Sequence, residues 1–269
     1  MNTNTVLRTV IPFAAFSFVP MLGQSQITVP SYSAEDDRLV LELYEGLRVA
    51  DVSDAMDIVG LQDVGLVEPS IHAAWKSVTD FSHQIRGIAL TVRYAPTNKR
   101  GREPTAEKVK EWQHKWYKTL AAERFLPLIR EGSVIVIEAP GNTDAGVIGS
   151  FNTMVWKSKG ARGVITSGGA RDTDEIHRQG IPLYFRGPSR GYPPGRTELE
   201  SVNQPITCGG VLIRPGDVIV ADGDGIVVVP REHAEAVAEE ARAILNSDKK
   251  ARRRMYEKLG LQLDETVDR

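Results

Sequence analysis

The sequence predicts an α/β domain running from about residue 30 onward. Segments with apolar residues at helical spacing alternate with short apolar runs bounded by glycine and proline turns. No internal repeat is visible. The chain has 269 residues, 41% of them apolar, enough for one large domain with an ordinary core.

The elements follow in order. Ser33 precedes Glu35, Asp36 and Asp37, a helix start with a capping side chain and acidic residues in the first turn. Leu39, Val40, Leu43 and Leu47 continue it at helical spacing. A second helix is predicted over residues 52–58, entered from Asp51, with Ser53 and Asp54 near its start. Asp54 there suits the positive end of the helix dipole. Residues 85–94, with Gly87 inside, read as a strand, and 96–104 as a polar, basic loop. Residues 105–120 form a helix carrying Trp112, Trp116 and Tyr117, which read as packing surface. Lys108, Lys110, Lys115 and Lys118 interleave them, but Glu107, Glu111 and Glu123 dilute the positive field and argue against a nucleic-acid groove.

Residues 132–138 give a turn and a buried strand. Residues 140–150 are a glycine-rich loop leading into a helix over about 151–158. Residues 164–166 are a strand, followed by Gly168 and Gly169, then Arg171 and Asp172 before another helical pattern. Residues 181–185 form a strand and 186–194 a Gly/Pro-rich loop with Arg186 and Arg190. Three short strands follow at 209–213, 218–221 and 226–229, with turns at 215–217 and 222–225. Residues 230–245 are an amphipathic helix, and the tail is basic over 249–254.

Several classes are excluded. Cys208 is the single cysteine, so an intrachain disulfide or a cysteine-rich zinc site is ruled out. The five histidines show no HExxH pair or other close metal spacing. A net charge of -2 gives no general argument for nucleic acid as a partner. At the N-terminus, Arg8 precedes the apolar run 10–22, and Gly23, Gln24 and Ser25 follow. Residues 1–25 are expected to be a secretory signal, with a disordered or strand-like arm as the alternative, which implies a periplasmic or secreted protein. The run is too short for a stable membrane span.

Two loops carry the candidate chemistry. The 140–150 loop ends at a helix start, where backbone N–H groups bind anions. It lacks the GK[ST] ending of a nucleotide P-loop. Arg171 can clamp a carboxylate through paired hydrogen bonds, and the adjacent Asp172 can hold a hard cation such as Mg²⁺. Together they suit a small anionic substrate bearing a carboxylate and a carbonyl. The alternative is a surface Arg–Asp pair of little energetic weight.

Residues 160–165 (GARGVI) and 169–176 (GARDTDEI) resemble the family of the regulator of ribonuclease activity A, which includes the class II 4-hydroxy-4-methyl-2-oxoglutarate aldolases and their oxaloacetate decarboxylase activity. Residues 215–230 and 51–56 are similar to the same family, and the resemblance spans most of 35–245. It implies a three-layer α/β/β swivelling-type domain over residues 30–269 with a C-terminal helical tail. It also implies a homotrimer or homohexamer with sites between subunits. In that family Arg171 would hold a pyruvyl unit, Asp172 would support Mg²⁺ or Mn²⁺, and the amides of Gly149, Ser150 and Phe151 would hold the substrate carboxylate. The metal would polarise the 2-keto group and stabilise a pyruvate enolate, while a base acting through a metal-associated water took the leaving alcohol's proton. The expected activity is a divalent-metal-dependent lyase cleaving a C–C bond in a small 2-keto acid.

The chain departs from the aldolase pattern in three places. The acidic residue expected before the Arg–Asp pair is Ser150, and Asp144 lies upstream of it. The tail 260–265 (GLQLDE) displaces or lacks the glutamate that a neighbouring subunit would supply. The insertion at 97–118 is long and carries tryptophans. Two other readings therefore stand beside the lyase: a lyase or isomerase of the same fold acting on a polyol or sugar acid, and a non-catalytic ribonuclease-regulator-like binding protein.

Overall fold

A computed structural model describes residues 31–99, 105–141 and 144–267. The secretory signal expected over residues 1–25 lies outside them. Helix α1 (Ala34–Leu43) opens with a full capping box: Ser33 Oγ accepts the Asp36 N–H at 3.1 Å, and the Asp36 carboxylate accepts the Ser33 N–H at 2.9 Å. Helix α2 (Val49–Ile58) starts three residues before the predicted point. The buried Asp51 carboxylate accepts the Arg48 backbone N–H at 3.0 Å, and that contact sets the earlier start.

The short β1 (His72–Ala73) precedes the long β2 (Ile85–Pro96), the predicted strand extended by two residues. Helix α3 (Ala106–Thr119) lies in the stretch expected as an insertion, and its tryptophans are packing groups. Trp116 is buried, donates Nε1–H to the Thr197 carbonyl at 3.0 Å, and meets Trp112 edge-on at 5.4 Å. Then come β3 (Ser133–Glu138), β4 (Gly146–Ile148), α4 (Ser150–Ser158), β5 (Ala161–Thr166), β6 (Gly169–Ala170) and α5 (Thr173–Arg178). The chain continues through β7 (Leu183–Phe185), β8 (Gly187–Pro188), β9 (Thr197–Val202), β10 (Ile206–Cys208) and β11 (Val211–Ile213). It closes with β12 (Val218–Asp222), β13 (Gly225–Val229) and α6 (Ala234–Leu259).

The fold is mixed α/β, as the sequence predicts. The main sheet runs β1-β7-β5-β3-β2-β12-β13, with β9 also paired to β2. Strands β2, β3, β5 and β7 are parallel, and β12 and β13 return antiparallel. Alternation along each strand divides the core into layers, because successive side chains face opposite sides of a sheet. Ile135 and Ile137 of β3 point to the helical side with Trp156, Phe125 and Ile176. Val134 and Val136 point the other way, joining Ile206, Cys208 and Ile213 of the β10–β11 hairpin. Val218 and Val220 of β12 pack under α1, α2 and α6, while Ile219 and Ala221 join the hairpin side. Helices, main sheet and hairpin layer give the α/β/β order.

Several segments differ from the expectation. Residues 197–202, with no apolar run, form β9: one edge pairs with β2, and the Leu199 N–H and the Thr197 carbonyl bond to Leu120 and Trp116 at the end of α3. Residues 146–148, read as part of a loop, form a buried strand. Helix α6 continues to Leu259, past the predicted 245. The basic stretch stays helical because Arg252 pairs with Asp248 and Arg253 with Glu257 one turn away.

One glycine near the sheet edge is tightly constrained. Gly65 has φ +78°, accepts the Val228 N–H at 2.9 Å, and a Cβ on it would lie 2.0 Å from the Val228 carbonyl oxygen. Gly65→Ala is expected to cost roughly 3 kcal/mol, the sum of positive-φ strain and overpacking. Urea unfolding of the variant should show a lower midpoint at unchanged slope; an unchanged midpoint would contradict the packing described here.

Candidate active site

Three short parallel strands build the site. β6 lies between β4 and β8, aligning Gly169 with Gly146 and Gly187. Gly169 must be glycine, since a Cβ there would sit 2.8 Å from Ser189 Cβ and 3.2 Å from the Gly187 carbonyl. The ladder then fixes Arg171, whose N–H donates to the Ile148 carbonyl at 3.0 Å. Gly146 lies directly behind it, and a Cβ on Gly146 would come 3.1 Å from the Arg171 nitrogen.

Asp172 has φ 57° and ψ 36°, a left-handed conformation that aspartate adopts more readily than most residues. It precedes α5 but does not cap it. Its Oδ2 instead accepts the Ser150 N–H at 3.1 Å and faces Ser150 Oγ at 3.4 Å. The reason lies in α4. The residue at its N-cap is Gly149, which has no side chain to satisfy the exposed N–H groups of the first turn. Asp172 supplies that carboxylate from another element. The fit is close, for a Cβ on Gly149 would lie 2.9 Å from Asp172 Oδ2. The second oxygen, Oδ1, lies 3.9 Å from Arg171 Nε, and both side chains are about two-fifths exposed. The exposed ion pair itself contributes little to stability; what Asp172 gives the fold is its cap on α4.

A cleft of about 320 Å³ opens beside this pair. One wall is Gly146, Val147, Ile148, Gly149, Asn152 and Arg171. The facing wall comes from β2 and the end of the insertion: Tyr94, Tyr117, Ala121, Ala122, Glu123 and Leu126, with Pro193 at the side. Burial pushes the Tyr94 and Tyr117 hydroxyls up from the usual phenol range, so both stay protonated hydrogen-bond donors. Glu123 is half-buried, and desolvation raises its carboxyl above the usual range against the opposing hydrogen bonds from Asn152 and Trp156.

The predicted residues fall as follows. Gly149 and Arg171 line the cleft. Ser150 gives its N–H to Asp172, which stands beside Gly149. Phe151, one position on, is 75% exposed. Asp144 turns away, accepting the Arg190 N–H at 2.8 Å and its Nε–H at 2.9 Å, and these hold its carboxyl below the usual range. It supplies no charge to Asp172. The sequence pattern does not mark Tyr94, Tyr117, Glu123 or Asn152 as site residues. Glu123 lies in the turn after α3, and its aim comes from contacts distant in sequence.

Among the described residues, no three His, Cys, Asp or Glu side chains come together to cage a metal. The donor set is one carboxylate: among the described residues Asp172 Oδ1 accepts no hydrogen bond, and its nearest charged partner is Arg171 Nε at 3.9 Å. That fits a Mg²⁺-type ion, which keeps several waters and takes one or two carboxylates plus substrate oxygens. Cys208 is buried in the hairpin layer, and burial pushes its thiol up to about 12, so it is inert as a nucleophile. Among the described residues, no helix is long and apolar enough to cross a membrane.

Comparison with known proteins points to one family over most of the chain. A family model described as RraA-like, Aldolase/RraA, matches residues 49–228. A Halalkalibacterium halodurans protein named "Putative 4-hydroxy-4-methyl-2-oxoglutarate aldolase" is 37% identical over 123 residues, which are 46% of this chain and 58% of that protein. The match thus spans little more than half of that relative's length. A crystal structure of an uncharacterized protein from Pseudomonas syringae pv. tomato superposes with a TM-score of 0.64 at 29% identity, covering 86% of this chain and 98% of that one. Streptomyces coelicolor RraAS2, described as an unusual member of the RNase ES inhibitor RraA protein family, shares the fold at 24% identity with a TM-score of 0.63, over 80% of this chain and 96% of its own.

Proposed function

This chain belongs to the RraA-like family, and on that premise we propose that it is a divalent-metal-dependent lyase that cleaves a C–C bond in a small 2-keto acid. The observation that carries the reading is the pairing of Arg171 with a carboxylate, Asp172, across the N-terminus of α4 at the edge of a cleft sized for a small molecule. The relative named for aldolase activity supports the reaction class.

Arg171 clamps the substrate carboxylate, since its fork of donors matches carboxylate geometry. Its fixed positive charge also stabilises negative charge as it develops on the keto-acid end. Asp172 would hold a Mg²⁺ or Mn²⁺ ion through Oδ1, and that ion, when bound, supplies polarisation of the 2-keto oxygen. Oδ2 stays committed to Ser150, which fixes the carboxylate's rotation. Tyr94, Tyr117 and Leu126 shield the cleft from bulk water on the opposite side. A homotrimer or homohexamer belongs to the same proposal: Phe151 and Met154, 75% and 52% exposed on α4, are apolar surface that a second copy would cover.

The test is pyruvate release from a 4-hydroxy-2-oxo acid and from oxaloacetate, with Mg²⁺ and with chelator. Metal-dependent release from either substrate is expected. Release that ignores the chelator, or none at all, overturns the reading. The second reading, a sugar-acid lyase or isomerase, draws on Ser150 and on the cleft wall contributed by the insertion's end, both departures from the aldolase pattern. Turnover of sugar acids alone in the same assay would favour it.

A further inference from the structure

Arg171 and the start of α4 account for one wall of the cleft. Among the described residues the facing wall holds one carboxylate, Glu123, and the surrounding turn aims it. Helix α3 ends at Thr119, and the chain then turns tightly, with the Ala121 N–H donating to the Trp116 carbonyl at 2.9 Å and the Leu126 N–H to the Glu123 carbonyl at 3.1 Å. Ala121 and Phe125, either side of Glu123, are 5% and 0% exposed, and Phe125 packs edge-on against Trp156 at 5.4 Å. Pinned on both sides, Glu123 projects toward α4. There Asn152 Nδ2 donates to its Oε1, and Trp156 Nε1 donates to its Oε2 at 3.3 Å. A carboxylate has about four acceptor positions, so each oxygen keeps one for a substrate proton. Asn152 ties this group to the other wall, its Oδ1 lying 3.6 Å from where a Cβ on Gly149 would be.

Resting on the keto-acid lyase reading above, we propose that Glu123 is the general base and acid of C–C cleavage, acting directly on the substrate's 4-hydroxyl from the wall opposite Arg171. This carboxylate stands in the cleft that lacks an acidic residue at Ser150, and it departs from the water-mediated base that the family resemblance implies. The step balances within the substrate and one side chain. The Glu123 carboxylate takes the 4-hydroxyl proton, the C3–C4 bond breaks, and a C4 carbonyl forms. The bonding pair passes to C3 as the enolate of pyruvate. The protonated Glu123 then returns the proton to C3, giving pyruvate and a free carbonyl product. Desolvation makes the carboxylate a stronger base than one in water, which suits the task. The ionisable groups facing it are Tyr94 from β2, Tyr117 from α3 and Arg171 from the loop before α5. The tyrosines stay neutral over the working range, because burial raises both.

Oxaloacetate has no 4-hydroxyl to deprotonate, so its decarboxylation calls on Glu123 for less. The test compares wild type, Glu123→Gln and Glu123→Asp on both substrates, with the full chain and saturating Mn²⁺. For Glu123→Gln, kcat on a 4-hydroxy-2-oxo acid should fall by about a hundredfold or more. The loss on oxaloacetate should be at least about tenfold smaller, the difference expected when only one reaction needs the base. The acid limb of the wild-type kcat profile should vanish in Glu123→Gln, and Glu123→Asp should recover part of the rate. Oxalate binding by Glu123→Gln should stay within about threefold of wild type, which shows an intact cleft. Equal losses on both substrates, or an unchanged acid limb, overturn the proposal and leave the lyase reading standing. No wild-type turnover of either substrate overturns both.

Discussion

Arg171→Ala should lower kcat/KM for 2-keto acid cleavage by about a thousandfold, roughly 4 kcal/mol of transition-state stabilisation. The size follows from two roles in one side chain. It binds the carboxylate and neutralises charge as the enolate forms, and among the described residues no other cationic side chain lines the cleft to substitute for it. Folding should change little, because Arg171 is 39% exposed and its ion pair is a long one at 3.9 Å. Arg171→Lys should recover only part of the loss, since an ammonium cannot form the paired contact. Steady-state kinetics with a urea unfolding control checks this. A loss confined to KM would mean that Arg171 only binds substrate and does not act in the transition state.

Asp172→Asn should abolish metal-dependent ligand binding, weakening Mn²⁺ by about a hundredfold or more, while leaving the fold intact. The asparagine oxygen can still accept the Ser150 N–H that Asp172 Oδ2 now takes at 3.1 Å, so α4 keeps its cap. The negative charge that would hold the ion is lost. Asp172→Ala removes both, and should add a stability loss of about 1 kcal/mol, the usual size for a missing helix cap. The two variants thus separate the charge of Asp172 from its place in the fold. Electron spin resonance of Mn²⁺ titrated into each protein reads the first, and thermal unfolding the second. If Asp172→Asn bound Mn²⁺ as wild type does, the ion would have to sit elsewhere.

Much of this arrangement was legible before any coordinates. The Gly168–Gly169 turn at a strand end marked Arg171 and Asp172, because backbone punctuation and charge stand next to each other in sequence. The buried strands and α1 announced themselves through apolar runs and a local capping pattern. What could not be read depends on partners far apart in the chain. That Asp172 caps α4 follows from the missing side chain at Gly149 and from a left-handed backbone at Asp172, neither visible in a one-dimensional pattern. Glu123 looked like one more charge diluting a basic helix. Its aim into the cleft comes from the burial of Ala121 and Phe125 around it. Strand β9 has no apolar alternation because its residues are mostly polar and only partly buried, and the end of α6 is carried by ion pairs, not by an apolar stripe.

The central claim is that Arg171 and Asp172 form a metal-assisted 2-keto acid site. Isothermal titration of oxalate, which mimics the enolate of pyruvate, tests it most directly on the wild-type chain with and without Mn²⁺. Binding in the presence of Mn²⁺ that falls at least about tenfold when the ion is withheld, and is lost in Arg171→Ala, is the predicted result. Oxalate binding equally strong without the ion, or unchanged in Arg171→Ala, would contradict it.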